Sequence, residues 1–173
     1  MRHILIIGGT KGIGKAIIDL LIEENKITCM SRNVSDYNHV NYNHVQLDAT
    51  LDNFPDLEKI DSLVYCPGSI NLKPISTLSI EDFRNDFELN VIGAVKSIKK
   101  YLPLLKKGEN PSILLFSTVA TKLGMPYHAS VSASKSAIDG IVKTLGAELA
   151  PKIRINAIAP TITNTELASK ILR

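Results

Sequence analysis

The chain opens on a short apolar run, His3-Ile4-Leu5-Ile6-Ile7, which breaks into glycines between Gly8 and Gly14. From there Ile13, Ala16, Ile17, Leu20 and Leu21 recur at helical spacing, while Lys15, Asp19, Glu23 and Glu24 fall mostly on the other side. A buried strand, a glycine turn and an amphipathic helix are predicted. The alternation then continues. Further strands are predicted at Lys26 to Met30, His44 to Leu47, Ser62 to Cys66, Ser112 to Phe116 and Ile153 to Ile158, with helices at Leu51 to Lys59, Ile80 to Leu105 and Ala129 to Leu149. Strand and helix in regular order predict an α/β fold, a parallel sheet covered by helices on both faces. At 173 residues with ordinary apolar content, the chain suits one domain, 1–173.

The glycine turn carries the first chemistry. Its spacing is G-x-x-x-G-x-G, from Gly8 through Gly12 to Gly14, with Thr10, Lys11 and Ile13 between. Glycines allow positive φ and close approach, and a helix start offers unpaired N–H groups and a positive dipole end to a phosphate. A plain turn is the alternative. Joined to the strand pattern, the loop points to a doubly wound Rossmann-type fold with its ligand at the carboxyl ends of the strands. A formal charge of +3 with dispersed lysines gives no reason to expect nucleic acid or an anionic membrane as partner. Cys29 and Cys66 sit in apolar strand-like runs and read as free buried thiols in a reducing compartment. The first apolar run is too short for a signal peptide or a membrane span, which makes a cytoplasmic protein the expectation. Tyr-Asn-His-Val occurs twice between Tyr37 and Val45. Two histidines five apart do not match zinc-ligand spacing, so the segment reads as a solvated loop entering the third strand, and no metal site is expected.

By this point the residues resemble the short-chain dehydrogenase/reductase family over essentially the whole chain. The matching pieces are Gly8-x-x-x-Gly12-Ile13-Gly14, Leu47-Asp48, Pro67-Gly68, Leu89-Asn90-Val91, Ser117-Thr118, Ser132-Ala133-Ser134-Lys135 and Ile155-Asn156-Ala157-Ile158-Ala159-Pro160. The resemblance implies strand order 3-2-1-4-5-6 and an NAD(P)-dependent oxidoreductase moving hydride between a nicotinamide and a small carbonyl or alcohol substrate. In the family an acidic residue ending the second strand binds the ribose hydroxyls of NAD. Here that strand ends Cys29-Met30-Ser31-Arg32-Asn33, with no carboxylate. Arg32 and Lys11 are therefore expected to bracket a 2′-phosphate, making NADP(H) the expected cofactor ahead of NAD. Two ordinary solvated charges are the alternative. Asp48 resembles the family residue near the adenine amino group; it also suits a helix cap before Leu51. Gly68 keeps the close-approach glycine, although the family's N-A-G is here Cys66-Pro67-Gly68. After Ala159-Pro160 the usual glycine is Thr161, while Thr163 and Thr165 keep hydroxyls where the family contacts the carboxamide.

On the helix after Ser79, the residues Phe83, Phe87, Val91, Ala94, Ile98, Leu102 and Leu105 predict an apolar face that also carries Asn90. The resemblance implies that Asn90 bends this helix locally and holds a water in a proton relay. On the next helix Lys135 interrupts a stripe of Val131, Ile138, Val142, Leu145 and Leu149, where its charge is disfavoured unless a ligand satisfies it. Snorkelling to the surface is the alternative. The family lysine binds the nicotinamide ribose and lowers the pKa of a tyrosine four residues earlier. That position holds Val131, so the usual general acid/base is absent, a loss worth about 10²–10⁴ in rate. Tyr127 and His128, one turn earlier, are the candidate substitutes. Thr118 stands thirteen before Val131, where the family places its substrate-orienting serine. Family members continue through a substrate-covering segment and a seventh strand, so a chain ending at Arg173 is expected to leave the sixth strand as an edge. Ala129, Ala133, Ser136, Ala137, Gly140, Thr144 and Ala147 form a small-residue strip. In the family the helices corresponding to 80–105 and 129–149 form a dimer interface, which implies a homo-oligomer. Two functions stay open: an NADP(H)-dependent oxidoreductase with an altered site, and a catalytically impaired dinucleotide-binding protein.

Overall fold

Six parallel strands form one sheet in the order β3-β2-β1-β4-β5-β6, as the family resemblance implies. They are β1 (Arg2–Ile7), β2 (Asn25–Ser31), β3 (Tyr42–Gln46), β4 (Ser62–Tyr65), β5 (Ser112–Phe116) and β6 (Arg154–Ile158) in a computed structural model that describes residues 1–170. The helices are α1 (Gly12–Leu21), α2 (Ile80–Phe87), α3 (Gly93–Leu105), α4 (Ala120–Leu123) and α5 (Ala129–Leu149). Alternate residues of β1 feed two cores: Leu5 and Ile7 pack with Tyr65, Val91, Ala94 and Ile138, while Ile4 and Ile6 pack with Ile18, Ile27, Cys29 and Phe116. Both faces of the strand are covered, which is why its sequence is continuously apolar. From β1 the chain winds outward to β2 and β3, then returns and winds the other way through β4, β5 and β6. The loops after β1 and β4 consequently part at their carboxyl ends and leave a crevice.

At the opposite end of the sheet one buried carboxylate ties three segments together. Asp61 accepts the backbone N–H of His3 at 2.8 Å and that of Glu109 at 2.7 Å, with Lys59 Nζ 3.5 Å away. No described helix is long and apolar enough to cross a membrane.

Three elements depart from the predicted pattern. Residues 51–59 form no helix: Leu51 is 82% exposed, and Asp48 caps a turn by accepting from the backbone N–H and hydroxyl of Thr50. Pro55 lacks the N–H a helix would use there. The predicted Ile80–Leu105 helix is interrupted by a π-helical segment, Glu88–Ile92, in which the N–H of Gly93 reaches back five residues to the Glu88 carbonyl. The extra residue rotates the preceding turns: Phe87 is 42% exposed, and Asp86 and Asn90 are buried instead. The short helix α4 is also outside the prediction.

Candidate active site

The carboxyl ends of β1, β2, β3 and β4 surround a cleft of about 520 Å³. Its floor is the glycine turn. Gly8 and Gly12 adopt φ of 79° and 54°, conformations that side chains rarely take. A Cβ on Gly14 would run into the Gly8 carbonyl, so α1 can start directly on the turn only because that residue is glycine. The N-terminal end of α1 thereby opens into the cleft, and no acidic side chain occupies its first turn. Thr10, Lys11, Gly12, Ile13 and Gly14 all line the space. Phosphate oxygens suit this cradle, and the residues fit a dinucleotide pyrophosphate.

Arg32, at the end of β2, and Asp48, just beyond β3, line the same cleft. The Thr50 hydroxyl hydrogen-bonded to Asp48 is the main cause that holds its carboxyl below the usual range, with the Arg32 charge adding to the effect. Arg32 has no ion pair among the described residues, whereas Lys11 pairs with Glu166 at 2.6 Å on the exposed rim. Thr165 packs beside Gly12, 3.3 Å from where a Cβ on that residue would lie, and also lines the cleft.

Gly68 joins the cleft to a buried polar cluster. A Cβ on Gly68 would lie 3.5 Å from both Asn90 Oδ1 and Lys135 Nζ. Asn90 is 1% exposed; its amide N–H groups donate to Ser69 Oγ at 3.1 Å and Ser134 Oγ at 3.0 Å, while its Oδ1 has no partner among the described residues. Lys135 is 7% exposed and donates to the Phe116 carbonyl at 2.8 Å, so its ammonium is held inside and does not snorkel. Burial pushes that ammonium down to about 8, opposed by Cys66 and by the Asp86 carboxylate. The π segment is what brings Asn90 here. Tyr65 at the end of β4 donates its hydroxyl to the Leu89 carbonyl at 2.7 Å, and a Cβ on Gly93 would collide with that hydroxyl. Tyr65, Gly93, Ser69 and Ser134 were not among the sequence candidates. A tyrosine closing an apolar strand and a glycine three after Asn90 are the signals that point to the first two.

The remaining candidates lie apart from the cleft lining. Thr118 Oγ1 accepts from the Ala120 N–H at 3.3 Å and donates to the Pro160 carbonyl at 3.5 Å, so its hydroxyl is engaged by backbone just before α4. The Pro160 carbonyl also accepts from the Val119 N–H. The exposed Thr163 hydroxyl is turned back to the Thr161 carbonyl. Neighbouring Ser117 is buried with its hydroxyl unpartnered among the described residues. Val131 is buried one turn before Lys135 on α5. Tyr127 is 60% exposed and His128 Nδ1 donates to the Pro126 carbonyl; among the described residues neither hydrogen-bonds to Asn90, Thr118 or Lys135.

The chain belongs to the short chain dehydrogenase family, whose model matches residues 44–173. It is similar to the cyclopentanol dehydrogenase of Comamonas sp., 25% identical over 99% of this chain and 76% of that protein. The NADPH-dependent pterin aldehyde reductase of Arabidopsis thaliana is 26% identical over 96% of this chain and 76% of its own length. Among solved structures, ElxO with NADP bound superimposes with a TM-score of 0.84 at 28% identity, covering 99% of this chain and 77% of that one. The fold and the order of its motifs are thus those of an oxidoreductase family.

Proposed function

We propose that the protein is an NADP(H)-dependent oxidoreductase acting on a small carbonyl or alcohol, built as one domain over 1–173 and working as a cytoplasmic homo-oligomer. One arrangement carries this reading: Arg32 and Lys11 stand at one end of the glycine-floored cleft with no carboxylate ending β2, while Gly68, backed by Asn90 and Lys135, stands at the other. Relatives named for NADPH or holding NADP support it. When bound, the nicotinamide supplies or takes the hydride. The N–H groups of the turn from Thr10 to Gly14 bind the pyrophosphate, Gly8, whose own N–H is held by the Met30 carbonyl, leaves room for it, and Ile13 packs under the cradle. Arg32 receives the 2′-phosphate, joined by Lys11 once it leaves Glu166, and Asp48 accepts from the adenine amino group. Gly68 leaves room for the ribose, whose hydroxyls Lys135 binds. Asn90, with Oδ1 unpartnered, holds the proton relay. Thr118 orients the substrate oxygen after leaving its backbone partners before α4, and Pro160, Thr163 and Thr165 take the carboxamide.

Val131 supports a second reading, a dinucleotide-binding protein without efficient turnover, because valine offers no proton one turn before Lys135. The homo-oligomer is supported by the small-residue strip: Ala129, Ala133, Ser136, Gly140, Thr144 and Ala147 are exposed on α5, so packing within the chain does not explain most of it. NADPH consumption against a panel of aldehydes and ketones separates the readings. Turnover by the wild type supports the oxidoreductase. Turnover that appears only in Val131→Tyr, gaining about 10²–10⁴ in rate, supports the impaired binder. Absence of both turnover and NADPH binding would overturn both.

A further inference from the structure

The doubled Tyr-Asn-His-Val places its two histidines in different roles. His39 Nδ1 accepts the Asn41 N–H at 3.1 Å and shapes the turn into β3. His44 lies on β3 with Gln46 two residues on, so both side chains project from the same face. In register, His44 pairs with Cys29 and Gln46 with Ser31, which brings both side chains to the carboxyl end of β2. His44 Nε2 lies 2.9 Å from Ser31 Oγ, and the Ser31 hydroxyl donates its single proton to the Asn33 carbonyl at 2.9 Å. Nε2 must therefore be the donor in the histidine–serine bond. Burial lowers the His44 pKa, which keeps the ring neutral near pH 7 and consistent with that tautomer. Gln46 Nε2 donates to the Arg32 carbonyl at 3.0 Å. The carbonyls of Arg32 and Asn33 are thus both tied down, directly or through Ser31, by side chains of β3. Ser31, Arg32 and Asn33 all line the cleft, and the Arg32 guanidinium has no ion pair among the described residues.

We propose that His44 and Gln46 are positioning residues that set a preference for a 2′-phosphorylated dinucleotide by fixing the peptide that carries Arg32. The inference rests on the reading that Arg32 receives the 2′-phosphate. A guanidinium grips a phosphate through directional, charge-assisted bonds, and a carrier peptide fixed in advance lowers the cost of ordering them on binding. Neither His44 nor Gln46 need touch the ligand, so the effect falls on the coenzyme that has the phosphate.

Dissociation constants for NADPH and NADH are measured by the fluorescence of the reduced nicotinamide, with circular dichroism verifying that each variant is folded. His44→Ala and Gln46→Ala are expected to weaken NADPH binding about three- to tenfold, the equivalent of one lost hydrogen bond, and to change NADH by less than about twofold. His44→Gln places an amide N–H near the original Nε2 and is expected to recover most of the loss. Equal weakening of both coenzymes, or no change in the NADPH/NADH ratio in Gln46→Ala and His44→Ala, overturns the inference. If His44→Ala does not fold, Gln46→Ala alone decides by the same criterion. A wild type that binds both coenzymes equally overturns the Arg32 reading itself, a result distinct from a wild type that prefers NADPH while its variants keep that preference.

Discussion

Replacing Gly93 with alanine tests how Asn90 is brought to the site. The new Cβ would overlap the Tyr65 hydroxyl, whose proton now goes to the Leu89 carbonyl at 2.7 Å. Gly93 and Tyr65 are both buried, so the tyrosine has to shift within a packed core. Overpacking of that kind costs about 1–3 kcal/mol, and leaving the Leu89 carbonyl without its donor costs about 1–3 kcal/mol more. The sum, about 2–6 kcal/mol, is a large part of the stability of an ordinary domain. Tyr65→Phe alone loses only the donor, about 1–3 kcal/mol, and it also removes the atom that the new Cβ strikes. The two changes should accordingly be strongly non-additive: Gly93→Ala in the Tyr65→Phe background is expected to cost at least about 1 kcal/mol less than in the wild type. Urea unfolding of the four proteins, followed by far-ultraviolet circular dichroism because the chain has no tryptophan, supplies the cycle. A Gly93→Ala cost below about 0.5 kcal/mol, or full additivity, would show that the hydroxyl and the glycine do not hold the π segment.

Two further outcomes follow from buried charge. Asp61→Ala removes the acceptor shared by the His3 and Glu109 N–H groups and should lower urea stability by about 2–4 kcal/mol, with coenzyme affinity preserved in the folded fraction because Asp61 lies at the far end of the sheet. Lys135 titrates at about 8 in the folded chain against an ordinary value of 10.5, so between those values the unfolded state binds more protons and stability rises with pH. Stability measured across that window should climb in the wild type by up to about 3 kcal/mol relative to Lys135→Met, which has no such group; parallel curves would show that the ammonium is not desolvated.

The strands were legible because burial on both faces leaves continuous apolar runs such as Ile4–Ile7 and glycines mark where the backbone must bend, while their order came from the family resemblance. The site was legible in part. Gly8 to Gly14, Arg32 and Asp48 meet in the cleft because short loops follow each strand directly. The register of α2 was not legible: a period of 3.6 assigns Phe87 to the core, and a single inserted residue in the π turn reverses that assignment. The Tyr65 hydroxyl that bonds into the π segment comes from 24 residues earlier, beyond the reach of local periodicity. The helix expected over 51–59 failed for a similar reason, since Pro55 and the Asp48 turn outweigh an apolar spacing that puts Leu51 in solvent. Thr118 and Thr163 were found by position along the chain, which cannot reveal that their hydroxyls are engaged by local backbone partners.

The central claim is that the glycine-floored cleft takes NADP(H) with Arg32 and Lys11 on the 2′-phosphate. A fluorescence titration of the purified chain with NADPH and NADH, repeated on Lys11→Ala/Arg32→Ala, tests it most directly. Saturable binding that favours NADPH, and a double variant that loses at least about tenfold for NADPH while NADH changes little, is the predicted result. No binding of either coenzyme, or equal binding of both that the double change leaves untouched, would contradict the account.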